Sequence, residues 1–228
     1  KKFISPLIKK NVIQQWDARF AEFKSNKVLR KITWDSEYPH YVGSPGMCSI
    51  PKYLSKELDI KLNTKVEKII KNSTNDWELF DDNLNNLGAF DWVISTAPAI
   101  QSAEILPECY KQRNALMNKK MVGCFSLMLG FKRAPSLEWD AALISDADIS
   151  WVSINSSKPG RAKSFSMLVH STNAWAEKHL SDDSQSVISY LNKETSRIIG
   201  HDTNKANHIS LHAWRYANIG KQAKSDLL

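Results

Sequence analysis

From Met121 onward the chain is dominated by strand-like segments. "MVGCFSLMLGF", "DAALI", "ISWVSIN" and "SFSMLVHS" follow one another with little between them. Short runs this rich in Val, Ile, Leu and Phe find their hydrogen-bond partners in a sheet. Two helical stretches come next. "NAWAEKHL" is capped by Thr172 or Asn173, and "SQSVISYLNKETSRIIG" is capped by Ser184 and stopped by Gly200. "HISLHAWRYA" then predicts a closing strand.

The first half has a different texture. Ser5-Pro6 is a helix start, with Ser as N-cap and Pro at the first helical position. Ile8, Val12, Trp16, Phe20 and Phe23 repeat at helical spacing, which predicts an amphipathic helix over residues 6–24. "YVGSPGMCSIPKYL" follows, a tightly punctuated loop whose Ser49 caps an expected helix over 50–58. In "KLNTKVEKII", Leu62, Val66 and Ile70 share one parity. "DWELF" is a short strand, and "DDNLNNLG" is rich in turn formers. "FDWVISTA" has the apolar character of a strand buried on both faces, ended by Pro98. Residues 61–96 thus predict a small β unit, and 99–120 a helical stretch. The fold class is α+β: a mixed, largely antiparallel sheet with helices, plus the separate β unit. The changes of texture near 60 and 98 predict two domains with the chain crossing between them.

Composition excludes several function classes. The 228 residues are 42% hydrophobic and include eight Trp, enough for a buried core. No apolar run is long enough to span a membrane, and there is no secretory signal pattern. Neither a membrane nor nucleic acid is expected as a partner. The net charge is +7, but Lys and Arg are spread along the chain among acids, without a basic block. Cys48, Cys109 and Cys124 lie far apart without C-x-x-C spacing. This argues against a disulfide framework or zinc knuckle and fits a reducing, cytoplasmic compartment. The start at Lys1 without Met and the polar ending "GKQAKSDLL" suggest a piece of a longer protein.

Familiar catalytic signatures are missing. There is no G-x-S-x-G, H-E-x-x-H or Walker A pattern, and no G-x-G-x-x-G among the eight glycines. Strand parity says more. Trp151, Ser153 and Asn155 point one way along "ISWVSIN", opposite Val152 and Ile154. Ser166, Leu168 and His170 share a face of "SFSMLVHS", opposite Phe165, Met167 and Val169. Ser210, His212, Trp214 and Tyr216 share a face of "HISLHAWRYA". If these strands are neighbours, their mixed sides line either a pocket with a few polar anchors or a solvated face.

Several stretches in this order, "YVGSPGMCSIPKYL", "LNTKVEKI", "FDWVISTAPA", "DISWVSINSSKPGR", "LVHSTNAWAEKHL" and "WRYANIG", resemble the bacterial renalase-like proteins. These belong to the FAD-dependent amine-oxidase superfamily. The resemblance runs from about Tyr41 to Gly220. It implies a two-domain flavoprotein, with FAD on a Rossmann-like core and a mixed sheet with helices covering the flavin ring. The implied layout assigns 1–60 to substrate-domain helices and the interdomain loop, and 61–98 to the FAD domain. It assigns 99–212 to the substrate domain and 213–228 to a return toward the FAD domain. The family's glycine-rich fingerprint and its second FAD motif are both absent here, so the pyrophosphate lacks its usual seat.

By resemblance, Val66 meets the adenine through its backbone, and Thr96, Ala97 and Pro98 form the turn beside the adenosine. His170 and Trp214 line the pocket over the flavin, and the "YVGSPGM" loop lies near it with Met47 as an apolar wall. Gly43 and Gly46 are expected to permit close backbone approach. Parity adds Asn155 and Tyr216 as substrate-side candidates. The implied reaction takes a hydride from an isomeric dihydronicotinamide, an off-pathway NAD(P)H isomer, onto flavin N5. Dioxygen then reoxidises the flavin to give hydrogen peroxide. Trp214 is the candidate flat wall and His170 the polar anchor, with Asn155 as a second candidate anchor. The rival expectations are a flavin amine oxidase or desaturase, and a non-catalytic binding module. No metal is expected, and the oligomeric state is not legible.

Overall fold

The computed structural model describes residues 2–108 and 110–220; Lys1, Cys109 and residues 221–228 lie outside the described residues. The chain divides into two compact units, each best taken by itself. One comprises the chain up to Leu58 together with Gly123–Arg215; the other comprises Asp59–Val122 and the chain from Tyr216.

The first unit begins with helix α1 (Ile4–Lys9), then strands β1 (Ile13–Gln15), β2 (Arg19–Lys24), β3 (Lys27–Thr33) and β4 (Tyr41–Gly43), and helix α2 (Ser49–Leu54). The single helix expected over 6–24 is therefore not formed. Asn11 sits at φ 55°, a left-handed turn that ends α1 early. Trp16, Ala18 and Phe20 then lie on one side of extended backbone, where they form a small buried cluster with Ala141. A spacing of four is even, so it satisfies one face of a strand as well as one face of a helix. Phe23, three residues from Phe20, falls with Ala21 on the opposite side by strand parity, and both join the main core.

The other part of this unit carries β8 (Met121–Phe131), β9 (Ala141–Ser145), β10 (Ile149–Ile154), β11 (Phe165–Ser171), helices α5 (Asn173–His179) and α6 (Ser184–Ile199), and β12 (His208–Ile219). These strands join a seven-stranded sheet in the order β12-β8-β11-β10-β9-β2-β3. The sheet is mixed and mostly antiparallel, with β2 and β9 running parallel. One face is sealed. Leu127, Leu129, Val152, Met167 and Val169 are almost wholly buried on it, against Trp175, Val187, Leu191 and Ile198 from α5 and α6. Burying each such side chain stabilises the fold by roughly 1.5–3 kcal/mol.

Ser5 and Ser49 do not cap: α1 starts behind Phe3 and α2, which ends at Leu54, behind Cys48, neither with a side-chain cap, whereas α5 and α6 are capped as expected with one shift. Thr172 Oγ1 accepts the Trp175 N–H at the start of α5. At α6 the cap is Asp183 rather than Ser184; its carboxylate accepts the N–H groups of Gln185 and Ser186 at 3.0 and 2.9 Å. Both residues are good caps, and the carboxylate also favours the helix N-terminus. Gly200 closes the helix at φ 66°.

The second unit holds a three-stranded sheet, β5 (Val66–Lys71), β6 (Trp77–Asp81) and β7 (Asn86–Phe90), with helices α3 (Ala99–Ile105) and α4 (Arg113–Met117). The helical stretch expected over 99–120 is split at Leu106-Pro107. The strand expected in "FDWVISTA" does not form; only Phe90 belongs to one. A strand buried on both faces needs neighbours on both sides. Among the described residues none pairs with 91–97, and Trp92 and Ile94 stand 85% and 84% exposed. Among the described residues no helix is long and apolar enough to cross a membrane.

Candidate functional site

The second face of the seven-stranded sheet is open. Antiparallel register puts directly opposed residues on one face, and here it aligns Ser126 of β8, His170 of β11, Trp151 of β10 and Leu143 of β9 in a transverse row. Trp214 of β12 joins the end of that row by donating its indole N–H to Ser126 Oγ at 3.0 Å. Its ring also meets His212 edge-on, with centroids 4.2 Å apart. The strands β8, β9, β10, β11 and β12 contain no Asp or Glu, but they carry His170, His208, His212 and Arg215.

An aromatic cluster adjoins the row. Trp151 lies 6.2 Å from Phe20 and 6.5 Å from Trp34, and Trp34 stacks on Phe20 at 4.9 Å and meets Trp16 edge-on at 5.5 Å. Lys158 places its ammonium 5.2 Å from the centre of the Trp16 ring and donates to Asn155 Oδ1 at 3.3 Å. Burial lowers the Lys158 pKa, as does the charge of Arg161. His170 is held below its ordinary 6.5, first by burial and then by the positive charge of Lys158. The imidazole is therefore neutral at neutral pH, a hydrogen-bonding anchor rather than a cation.

Two loops lock together at the edge of this face. Arg161 Nη1 donates to the carbonyl oxygens of Gly43 at 2.8 Å, Pro45, and Pro159 at 3.3 Å. Trp16 Nε1 donates to Ser157 Oγ at 3.1 Å. Gly160 adopts φ 71°, and a Cβ there would lie 2.3 Å from Ser44 Oγ. The loop "YVGSPGM" thus faces "SSKPGR". Gly43 is required by its own turn, since a Cβ would meet the Gly46 carbonyl at 2.6 Å. Gly46 is not, because nothing lies within 4 Å of where its Cβ would be.

A cavity of about 350 Å³ opens on the row's face, lined by Met128, Asn155, Ser166, Leu168 and His208 among others. Of the residues singled out in the sequence, His170 and Trp214 therefore share the row, and Asn155 lies between Lys158 and the cavity. Met47 is 57% exposed, and its sulfur accepts the Gly43 N–H at 3.2 Å. Tyr216 lies two residues beyond Trp214 on β12, within the second unit. Ser126, Lys158, Trp16 and Trp34 were not singled out. Strand parity opposite Leu127 signals Ser126, whereas reading 6–24 as a helix hid the role of Trp16.

In the second unit Val66 is half-buried on β5, an edge strand that presents backbone amides and carbonyls outward. Thr96 and Ala97 are exposed and Pro98 precedes α3, which packs against β5. Ser102 Oγ holds this turn by donating to the Ala97 carbonyl at 2.9 Å. A cavity of about 560 Å³ is lined here by Ile69, Trp77, Trp92, Ala97 and Tyr110 among others. Cys48 is exposed and Cys124 buried, where burial raises its pKa. No cluster of three metal-ligating side chains occurs among the described residues.

No family model matches the chain. Solved structures do. A protein assigned as a protoporphyrinogen oxidase from Exiguobacterium sp. 255-15 matches with a TM-score of 0.65 at 15% identity, over 79% of this chain and 41% of its own. Reduced UDP-galactopyranose mutase matches with 0.60 at 10% identity, over 81% and 42%. Cyclohexylamine oxidase from Brevibacterium oxydans IH-35A matches with 0.56 at 11%, over 74% and 38%. The chain has the mixed α+β fold that these proteins share. It spans about two fifths of their length.

Proposed function

We propose that the natural protein is an FAD-dependent oxidoreductase of the renalase-like type, acting on an isomeric dihydronicotinamide. The observation that carries this reading is the Trp214–Ser126–His170–Trp151 row on an open sheet face within this fold. Flat indole walls suit a planar ring, and a neutral His170 suits an amide or ring substituent. The absence of a carboxylate dyad from the row suits hydride transfer, which needs no strong acid or base.

The residues of the second unit fit the adenosine half of FAD. The outward edge of β5 at Val66 offers backbone groups for an adenine, and the exposed Thr96-Ala97-Pro98 turn offers room for a ribose. They do not supply a pyrophosphate seat, since the chain contains no glycine-rich fingerprint. Bound flavin would supply the hydride acceptor and its reoxidation by dioxygen to hydrogen peroxide. What this chain's residues do is hold the substrate ring: Trp214 and Trp151 bound it, Ser126 fixes the Trp214 indole, and His170 anchors a polar edge. In this reading the second unit belongs to the FAD domain and the seven-stranded sheet to the substrate domain, with residues 99–122, expected in the substrate domain, going with the second unit instead. The protein works in the cytoplasm.

The solved structures include an oxidase named for an amine, which favours an amine-oxidase reading as the second choice. A substrate panel separates the two. The natural protein, loaded with FAD, should produce peroxide from isomeric dihydronicotinamides and none from simple amines. Turnover of amines alone would replace this reading with the second.

A further inference from the structure

The open sheet face has a basic side chain with nothing to neutralise it. Lys158 is half-buried, lies over Trp16, and among the described residues has a single side-chain hydrogen bond, to the neutral amide oxygen of Asn155. Among the described residues it forms no ion pair with a carboxylate; the charge that acts on it is that of Arg161, and its own charge acts on His170. Arg161 is already spent on three backbone carbonyls. Removing an ammonium from water without a counter-charge is costly, and the lowered pKa of Lys158 reports that cost. Folds retain such a group where something supplies the missing charge.

We infer that Lys158 is the seat for an anionic group, a carboxylate or a phosphate, of a small molecule lying along the Trp151–His170–Ser126 row. Asn155, which accepts from Lys158 and also lines the adjoining cavity of about 350 Å³, carries the seat to that cavity. A charge-assisted hydrogen bond from a desolvated ammonium is among the stronger polar contacts available to a site. The neutral imidazole of His170 beside it becomes easier to protonate once an anion is present, which adds a second donor. The aromatic cluster gives the ligand a flat apolar body. Strands β8 to β12 carry no carboxylate, and Glu22 of β2, opposite Leu143, lies at the far end of the row from Ser126. The inference deepens the proposed function and rests on its reading of this face as the substrate wall, but its test needs no flavin.

The test is equilibrium binding of inorganic pyrophosphate and of benzoate to the 228-residue chain, with the His170 ring resonance followed by NMR. At least one probe should bind the wild type and shift the His170 signal. Lys158→Met should weaken binding about tenfold or more, and Lys158→Arg should retain most of it. Binding of pyrophosphate alone would assign a phosphate ligand, and binding of benzoate alone a carboxylate. Failure of both probes, equal binding by Lys158→Met, or binding without a His170 shift would overturn the inference. If Lys158→Met does not fold, the wild-type titration and Lys158→Arg still decide it. A natural protein without flavin would sink the proposed function while leaving this binding result standing.

Discussion

Trp214 donates its indole N–H to Ser126 Oγ at 3.0 Å, tying β12 to the row that continues through His170 and Trp151. Trp214 is nevertheless 54% exposed, so its ring serves the open face more than the core. Trp214→Ala should therefore change unfolding free energy by only about 1 kcal/mol, while lowering kcat/KM for the dihydronicotinamide at least about tenfold. Trp214→Phe should keep part of the activity, since the flat wall remains. Unchanged kcat/KM in the alanine variant would remove Trp214 from the site.

Strand parity makes a second prediction. Leu127 is fully buried on the helix-covered face, whereas Met128 is 37% exposed on the other. Leu127→Ala should cost about 2–5 kcal/mol, and Met128→Ala less than about 1 kcal/mol. Denaturant unfolding of the two variants checks this, and equal losses would contradict the assigned faces.

The glycines of the locked loops separate in the same manner. Gly160→Ala forces a Cβ against Ser44 Oγ at 2.3 Å with φ at 71° and should cost about 1–3 kcal/mol. Gly46→Ala meets open space and should leave the thermal midpoint nearly unchanged. A larger loss at Gly46 than at Gly160 would mean the loops are packed differently.

His170 gives a pH signature. Its folded pKa lies below the ordinary 6.5 through burial and the Lys158 charge. As pH falls, the unfolded chain takes up this proton first, so stability is lost from about 6.5 down to the lower folded value. Above 6.5 both states are neutral there and nothing changes. Relative to wild type, His170→Gln should lose less stability between pH 7 and pH 5. Parallel curves for the two proteins would show that His170 is not held neutral.

Much of the sheet was legible because its strands carry their own signal. Val152 and Val169 alternate with Trp151 and His170 at the strand period, and burial follows that alternation, whereas Ser126 is buried like Leu127 because the Trp214 indole covers it. The N-terminal segment misled because Trp16 and Phe20 are four apart, a spacing common to both periods; only the left-handed turn at Asn11 separates them. Gly46 resembled Gly43 in sequence, but only Gly43 has backbone across from it. "FDWVISTA" kept its strand-like composition without a strand to pair with. Lys158 was invisible as a site residue because its meaning lies in the absence of a carboxylate nearby, which local sequence does not display.

The central claim is tested most directly by the visible absorption spectrum of the natural gene product after adding FAD and removing the excess. A retained flavin band, bleached anaerobically by an isomeric dihydronicotinamide and restored by dioxygen, is the predicted result. A colourless protein would contradict the account and leave the open sheet face as a binding surface without redox chemistry.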